Sequence, residues 1–164
     1  MSNTRNLADV GPNLQKIVKR LQSNQKLLKL LYYTDKDPYE HDDLTDIQIR
    51  EEIFEKLIKI IPRVGPKETA HSMIVLRLVN GRSNPGNNEF RDFRFDIEVF
   101  VPLTQWIIKD SNLRPYAIMG EIHESLNGKT VEGLGRISGG DFQINFLTEE
   151  MSAYEMNYYI TSYD

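Results

Sequence analysis

Hydrophobic and polar residues alternate most clearly in residues 93–101, which read FRFDIEVFV. Every second side chain there is apolar: Phe93, Phe95, Ile97, Val99 and Val101. A period of two predicts a β-strand with one buried face and one polar face. Phe100 is apolar but lies on the polar face, so it is expected to meet either another element of the chain, which is the commoner case, or a neighbouring subunit.

The N-terminal part of the chain has a different period. Apolar residues follow a spacing of three and four after the helix-start signal Gly11-Pro12: Leu14, Ile17, Leu21, Leu28 and Leu31. Asn24 interrupts this stripe. The pattern fits either a coiled-coil seam with one polar position or two shorter helices that meet near Ser23 and Asn24. Barely three heptads are present, so the two-helix interpretation is favoured.

A second helical region follows a polar connector at residues 34–43. Thr45 and Gln48 have the spacing of a capping box, and Leu44 and Ile49 that of a hydrophobic staple. The apolar residues beyond them predict a helix that continues until Pro62 ends it: Ile53, Phe54, Leu57, Ile58 and Ile61.

The next segment is rich in β-branched residues, and residues 71–79 are predicted to form a strand. Residues 80–89 contain only turn formers and polar residues, which predicts a long hairpin loop back to the central strand. A loop of this length has no packing reason, and such loops often carry contacts. We therefore expect contacts to a neighbouring subunit or partner from loop and strand residues: Arg82, Asn84, Asn87, Arg91 and Phe100.

The C-terminal half predicts one helix and further strands. Residues 116–126 have an amphipathic helical pattern that ends at Asn127-Gly128. The glycine-rich residues 133–140 lack the following helix of a dinucleotide fingerprint, so they are assigned to a turn or bulge. Residues 142–146 predict a strand, residues 148–154 an irregular or helical piece, and residues 156–163 a last strand.

This order of elements predicts the α+β class, with a mostly antiparallel β-sheet flanked by helices and a helical N-terminal segment. The length of 164 residues fits a single domain spanning residues 1–164, with a helical part at 1–62 and a sheet with one helix at 63–164. No apolar run reaches membrane-spanning length, and the polar N-terminus predicts a protein that is cytoplasmic where it is made.

The composition excludes several kinds of functional site. The chain has no cysteine, which excludes disulfides and thiolate sites, and its formal net charge of −4 argues against a protein that grips nucleic acid through phosphates. Asp96 and Glu98 resemble paired nuclease ligands, but the Lys expected two residues after the Glu is replaced by Phe100. We therefore expect both carboxylates to be structural, on the wet face of the strand or at a subunit contact. No catalytic, cofactor or metal residue is predicted, and the three histidines are too scattered for a metal site.

Several short segments resemble a known family: LLKLLYY at residues 27–33, DKDP at 35–38, IPRV at 61–64, and Trp106 followed by Arg114-Pro115-Tyr116. Together they are similar to tailed-phage head–tail joining proteins, and most of all to tail terminator (tail completion) proteins. The resemblance implies an α+β virion protein without catalytic residues that assembles in the host cytoplasm as a hexameric ring. Its implied partners are the tail tube protein and the neck or connector proteins, and DNA passes through the lumen without specific binding.

Three other functions stay open at this point. The first is another neck or connector role, as a head completion or stopper protein. The second is a small metal-dependent nuclease that uses Asp96 and Glu98. The third is a soluble accessory protein that binds another protein through C-terminal aromatic residues.

Overall fold

The computed structural model describes residues 7–61, 70–86 and 90–161, with the Arg91 side chain excepted. The α-helices are α1 Val10–Gln22, α2 Gln25–Tyr32, α3 Asp46–Gln48 and α4 Arg114–Leu126. The strands are β1 Ile58–Lys59, β2 Met73–Ser83, β3 Phe90–Pro102, β4 Ile107–Ile108, β5 Asn112–Leu113, β6 Thr130–Val131, β7 Gly135–Leu147 and β8 Met151–Thr161. The predicted α+β class is confirmed.

Six strands form one curled sheet in the order β1-β2-β3-β8-β7-β6, and β4 pairs with β5 in a separate hairpin. Only the short β1–β2 pair is parallel, while all other described pairs are antiparallel. The long strand predicted at residues 93–101 is confirmed as the centre of β3 and lies between β2 and β8. The sheet is therefore built outward from the segment with the clearest alternation.

One face of the sheet, here called the helix face, is covered by α4, which contacts β3 and β7 and carries α1 and α2 on its other side. The odd-numbered apolar side chains of β3 point to this face and are at most 2% exposed. Leucines and isoleucines from both N-terminal helices complete the core: Ile17, Leu21, Leu28 and Leu31 are fully buried. Burial of this apolar surface is the main force that holds the helices on the sheet.

The N-terminal helical stripe is two helices that separate at Ser23 and Asn24, as predicted. The Asn24 side chain caps α2 by accepting a hydrogen bond from the Leu27 amide at 3.1 Å. Its amide nitrogen donates to Glu121 Oε2 at 3.0 Å and to Ser125 Oγ at 2.9 Å on α4. Asn24 thus caps the start of α2 and also joins this point of the chain to α4 through hydrogen bonds.

The predicted helix up to Pro62 is wrong beyond Ile53. The capping box of Thr45 and Gln48 is present, but α3 continues only as a π-helical turn at Ile49–Ile53. The chain then reverses at Glu55, whose φ is 57°, and Ile58 pairs with Ile74 of β2. The β-branched residues after Leu57 pair with the backbone of β2 at the edge of the sheet. This tertiary pairing outweighs the helix preference that the apolar spacing indicates. Residues 62–69, including Pro62, lie outside the described residues.

Two other boundaries also differ from the prediction. The predicted loop at residues 80–89 is shorter, because β2 continues to Ser83 and pairs with Phe90 and Arg91 of β3. The predicted irregular piece at 148–154 is wrong, because β8 already begins at Met151. Long cross-strand pairing explains both cases, since polar residues such as Asn80 and Ser152 take strand geometry when a neighbouring strand satisfies their backbone groups.

The glycine-rich segment forms a turn and a bulge, as predicted. β7 changes register against β8 between Gly139 and Asp141. Gly139 has a φ of 118°, and a Cβ atom there would lie 2.7 Å from the Asn157 carbonyl oxygen. Only glycine fits this close approach. The bulge re-aims the second half of β7.

The guanidinium group of Arg114 joins the helical part to the sheet. Its side chain is fully buried. It donates hydrogen bonds only to backbone carbonyls: Gln105 at 2.9 Å, Leu30 at 2.6 Å, Tyr33 at 2.9 Å and Asp35 at 2.5 Å. Leu30 and Tyr33 lie at the C-terminal end of α2, where carbonyls have no helical partner. Burial lowers the pKa of Arg114, and the Coulombic attraction of Asp35 and Tyr39 opposes that shift.

We expect Arg114→Met to lower the free energy of unfolding by about 3–5 kcal/mol, because it leaves several buried carbonyl oxygens unpaired. Arg114→Lys restores part of this loss, since lysine keeps the charge but lacks the fork that reaches separate carbonyls. Urea unfolding monitored by circular dichroism measures both. Arg50→Met, at a side chain that is 73% exposed, is the control and changes little. Equal losses at Arg50 and Arg114 would contradict the role given to Arg114.

Candidate functional site

The face of the sheet opposite to α4 carries a charge layer, defined here as Arg77, Arg94, Asp96, Glu98 and Glu155. Cross-strand register brings these residues together, because Arg77 pairs with Asp96 and Glu98 with Glu155. Arg77 Nη2 lies 3.2 Å from Glu98 Oε1 and 3.6 Å from Glu155 Oε2. Arg94 Nε lies 3.5 Å from Asp96 Oδ1. Three carboxylates thus face two guanidinium groups.

The expectation that Asp96 and Glu98 lie on a wet face is wrong, because they are only 5% and 9% exposed. The curled sheet and the long arginine side chains cover them. Asn145 of β7 donates a 2.5 Å hydrogen bond to Glu98 Oε1, and Arg94 Nη2 donates to Asn157 Oδ1 at 2.9 Å. The charge layer therefore ties β2, β3, β7 and β8 together.

Glu155 lies beside two other acids of the layer, Asp96 and Glu98. Burial raises its pKa, the Asp96 carboxylate raises it further, and Arg77 opposes the shift. Arg77, 3.6 Å away, is the basic partner of Glu155 among the described contacts.

The predicted contact residues lie in different places. Arg82 is exposed on β2, and Asn84 is half-buried with its Oδ1 accepting from the Gly86 amide at 3.0 Å. Asn87 and the side chain of Arg91 lie outside the described part of the chain. Phe100 is only 5% exposed, and its ring packs against Phe146 of the same chain with centroids 5.8 Å apart. Phe100 thus meets its own chain, and a buried ring leaves little surface for a partner.

The second half of β7 forms an exposed apolar edge, defined here as residues 141–147. β6 pairs with β7 only at Gly135 and Arg136, so in the described structure no strand lies beyond the later residues. Its apolar side chains are exposed on both faces: Phe142 55%, Ile144 53%, Phe146 41% and Leu147 62%. Monomeric proteins rarely leave so long an apolar edge uncovered. Sequence reasoning found the strand but missed the exposure, because alternation does not show whether a strand has neighbours on both sides.

An aromatic group extends this edge onto α4. Tyr116, which is 43% exposed, stacks edge-on with Phe142 at 6.5 Å and with Tyr154 at 5.6 Å. The hydroxyls of Tyr116 and Tyr154 are 2.9 Å apart, and this hydrogen bond, with burial, raises the pKa of Tyr154 to about 12. The apolar surface therefore continues from a strand edge onto a helix, which is a shape that another polypeptide can cover.

The titratable side chains do not assemble a metal centre among the described residues, where no group of three or more His, Asp or Glu has suitable geometry. His41 lies 2.6 Å from Asp35, His71 contacts the Tyr32 carbonyl, and His123 contacts the Tyr158 hydroxyl. The three histidines are thus engaged in separate local contacts.

Comparison with protein-family models identifies a family for most of the chain. The family model described as YomW matches residues 24–160, which include α2 and nearly all of the sheet. It represents a phage-derived family of the SPBeta-like prophage type. A search of curated proteins finds no match. Within the described residues, no helix is long and apolar enough to cross a membrane.

We expect Glu155→Gln to raise the free energy of unfolding at pH 7.5. Because the folded pKa of Glu155 is raised, the folded state binds more protons than the unfolded state just above the ordinary carboxyl pKa, so stability falls as pH rises through that interval. The substitution removes this cost at pH 7.5. Below about pH 4 both states of the wild type are protonated, and the difference should vanish.

Urea midpoints at both pH values measure this effect, with Glu149→Gln on the exposed β7–β8 turn as the control. A Glu155→Gln variant that is less stable than wild type at pH 7.5 would show that the ion pair with Arg77 outweighs the cost of burying the carboxylate.

Proposed function

This chain belongs to the YomW family, which is phage-derived, and we propose that it is a structural protein of the phage virion. Its specific role in this proposal is that of a tail terminator. Copies of the chain form a ring, with a hexamer expected, that ends the tail tube and joins it to the neck. The protein assembles in the host cytoplasm and remains in the tail or neck of the virion.

The exposed apolar edge of β7 is the observation that carries this proposal. Four large apolar side chains at 41–62% exposure are costly in a protein that works alone, since burial of apolar area contributes about 25 cal/mol per Å². A protein whose function is assembly covers this area with a partner. The edge lies on a rigid sheet held by the charge layer, so it is presented in one fixed geometry.

The acidic balance of the chain supports a role as a conduit for DNA. The formal net charge is −4. A ring that lets DNA pass should neutralise few phosphates, because each neutralised phosphate releases counterions and strengthens the hold on DNA. In this proposal DNA moves through the lumen without specific binding.

The tail tube protein and the neck or connector proteins are the proposed partners. A head completion or stopper role uses the same ring assembly and differs in which partner is bound. The family relationship and the exposed edge support both roles, and the resemblance of residues 27–38 and 114–116 to tail terminators favours the first.

We expect the purified protein to form a closed oligomer, alone or on tail tubes of its own phage, since rings often close only on a template. Mass photometry of the protein alone detects a free oligomer, and negative-stain electron microscopy of tubes mixed with the protein detects capped tube ends. The protein mixed with head connectors in the absence of tubes is the control, because binding there would indicate the stopper role. Monomers in both experiments, with bare tube ends, would overturn the proposal.

A further prediction concerns Asp96 and Glu98, which in this proposal hold the sheet together and take no part in chemistry. The wild type should not cut DNA in the presence of Mg²⁺. Asp96→Asn combined with Glu98→Gln should still assemble, because both amides keep the shape of the acids and the amide oxygen at position 98 can still accept the hydrogen bond from Asn145. A gel assay for plasmid cleavage and mass photometry measure these. Mg²⁺-dependent cleavage by the wild type that disappears in the double variant would favour a nuclease.

A further inference from the structure

The sheet has two unpaired edges, and they lie at opposite ends of the strand order. At one end β1 covers β2 only at Ile74 and Val75, so β2 has an open side from Arg77 to Ser83. At the other end β6 covers only the start of β7, and residues 141–147 are open. Each edge presents backbone N–H and C=O groups without a strand partner in the described structure.

The two open edges run in opposite directions. β2, β3, β8 and β7 are joined by three antiparallel pairings, so β2 points against β7. A second copy placed beside the first by rotation about an axis to which the strands are tilted, as in a barrel, would therefore bring its β2 antiparallel to β7. Such a contact continues the alternation of the sheet without a change of strand direction.

The two edges also carry opposite charge. Residues 137–150 contain the acids Asp141, Glu149 and Glu150 and no Lys or Arg. Residues 71–83 contain Arg77 and Arg82 and no acid. Asp141, Glu149, Glu150 and Arg82 are exposed. Pairing β7 with β7 of another copy would place acid beside acid, whereas pairing β7 with β2 places acid beside arginine.

Both open edges are long enough for this pairing. Each has at least seven consecutive residues without a strand partner on the open side in the described structure, at 141–147 of β7 and 77–83 of β2. Beside the β2 edge lies a groove lined by Asn80, Gly81, Arg82, Asp92, Arg94 and Tyr159. Val79 is 46% exposed on this strand, so the β2 edge offers an apolar contact to an added strand.

We propose that residues 141–147 of β7 add to residues 77–83 of β2 in a second copy of this chain, and that repetition of this contact forms one continuous sheet. The interface is head-to-tail, so it uses two different surfaces of each copy, and it closes into a ring when the rotation between neighbours divides a full turn. The open part of β2 lies toward the hairpin and that of β7 toward the β7–β8 turn, so neighbours are displaced along the strands. Closing a sheet on itself requires such a stagger. This inference rests on the assembly in the proposed function and names its surface.

The first test replaces an apolar side chain of the β7 edge by a charge. Ile144→Lys should raise the concentration for half-assembly by at least about tenfold, because the ammonium group would be buried in the contact. The thermal midpoint of the subunit should stay nearly unchanged, since Ile144 is half exposed there. Ile47→Lys is the matched control, because Ile47 is 59% exposed and lies on α3, outside both segments of the proposed contact. Equal assembly by Ile144→Lys and wild type would overturn the inference.

The second test uses the absence of cysteine from the chain. Gln143→Cys and Asn80→Cys place single thiols at exposed positions on the two edges. With a short bis-maleimide, the head-to-tail contact predicts no cross-link in either single variant, one linked pair in their equimolar mixture, and a ladder of multimers in the double variant. Denaturing gel electrophoresis measures this. Linked pairs in Gln143→Cys alone would show β7–β7 pairing instead and overturn the inference.

The outcomes separate this inference from the proposed function. Wild-type rings or capped tubes, together with an unlinked double variant, would overturn the edge pairing and leave the tail role standing. Monomers with bare tube ends would overturn both. A ladder in the double variant without any capping of tubes would support the edge pairing and remove the tail-terminator role.

Discussion

The position of the helices on the sheet depends on a buried positive charge that is hydrogen-bonded to backbone carbonyls. Arg114 opens α4 and sends its guanidinium group into the space where α2 ends, so that backbone carbonyls from two regions far apart in sequence share one donor. Because a buried cation must be fully hydrogen-bonded, α2 and α4 have little freedom to slide. α4 in turn places its apolar side against β3. The packing of α2 and α4 in the core therefore depends on the hydrogen bonds of one guanidinium group.

The opposite side of the sheet is fixed by charges of both signs. Helix contacts hold one face and the charge layer holds the other, so both faces of β3 are buried although the strand alternates in sequence like one with a wet side. Satisfied polar groups in a low-dielectric setting specify one register, since a shift by one residue would part every pair. With both faces in use, the surfaces left for recognition are the edges of the sheet and the aromatic residues beside β7.

The sequence predicts those elements whose signals are local. The alternation of residues 93–101, the capping box at Thr45 and Gln48, and the break at Asn24 each involve neighbours along the chain, and the structure confirms them. It does not predict that Ile58 joins β2, because an isoleucine-rich run suits a helix face or a strand, and a distant partner decides. The burial of Asp96 and Glu98 depends on Arg77 and Glu155, which lie on other strands. The exposure of Phe142 and Ile144 depends on which strand is last in the sheet, and this is a property of topology alone.

The acidic residues around the β7 edge also affect the protein before it meets any partner. An apolar strand with free hydrogen-bonding groups is a hazard in a crowded cell, where many new copies are synthesised at once and can stack into aggregates. Asp141 at one end and Glu149 and Glu150 at the other act as gatekeepers, because like charges repel when two such edges approach. The carboxylates that face the basic β2 edge in the proposed pairing therefore also oppose the stacking of two β7 edges. The charged residues on either side of one strand therefore limit non-specific self-association.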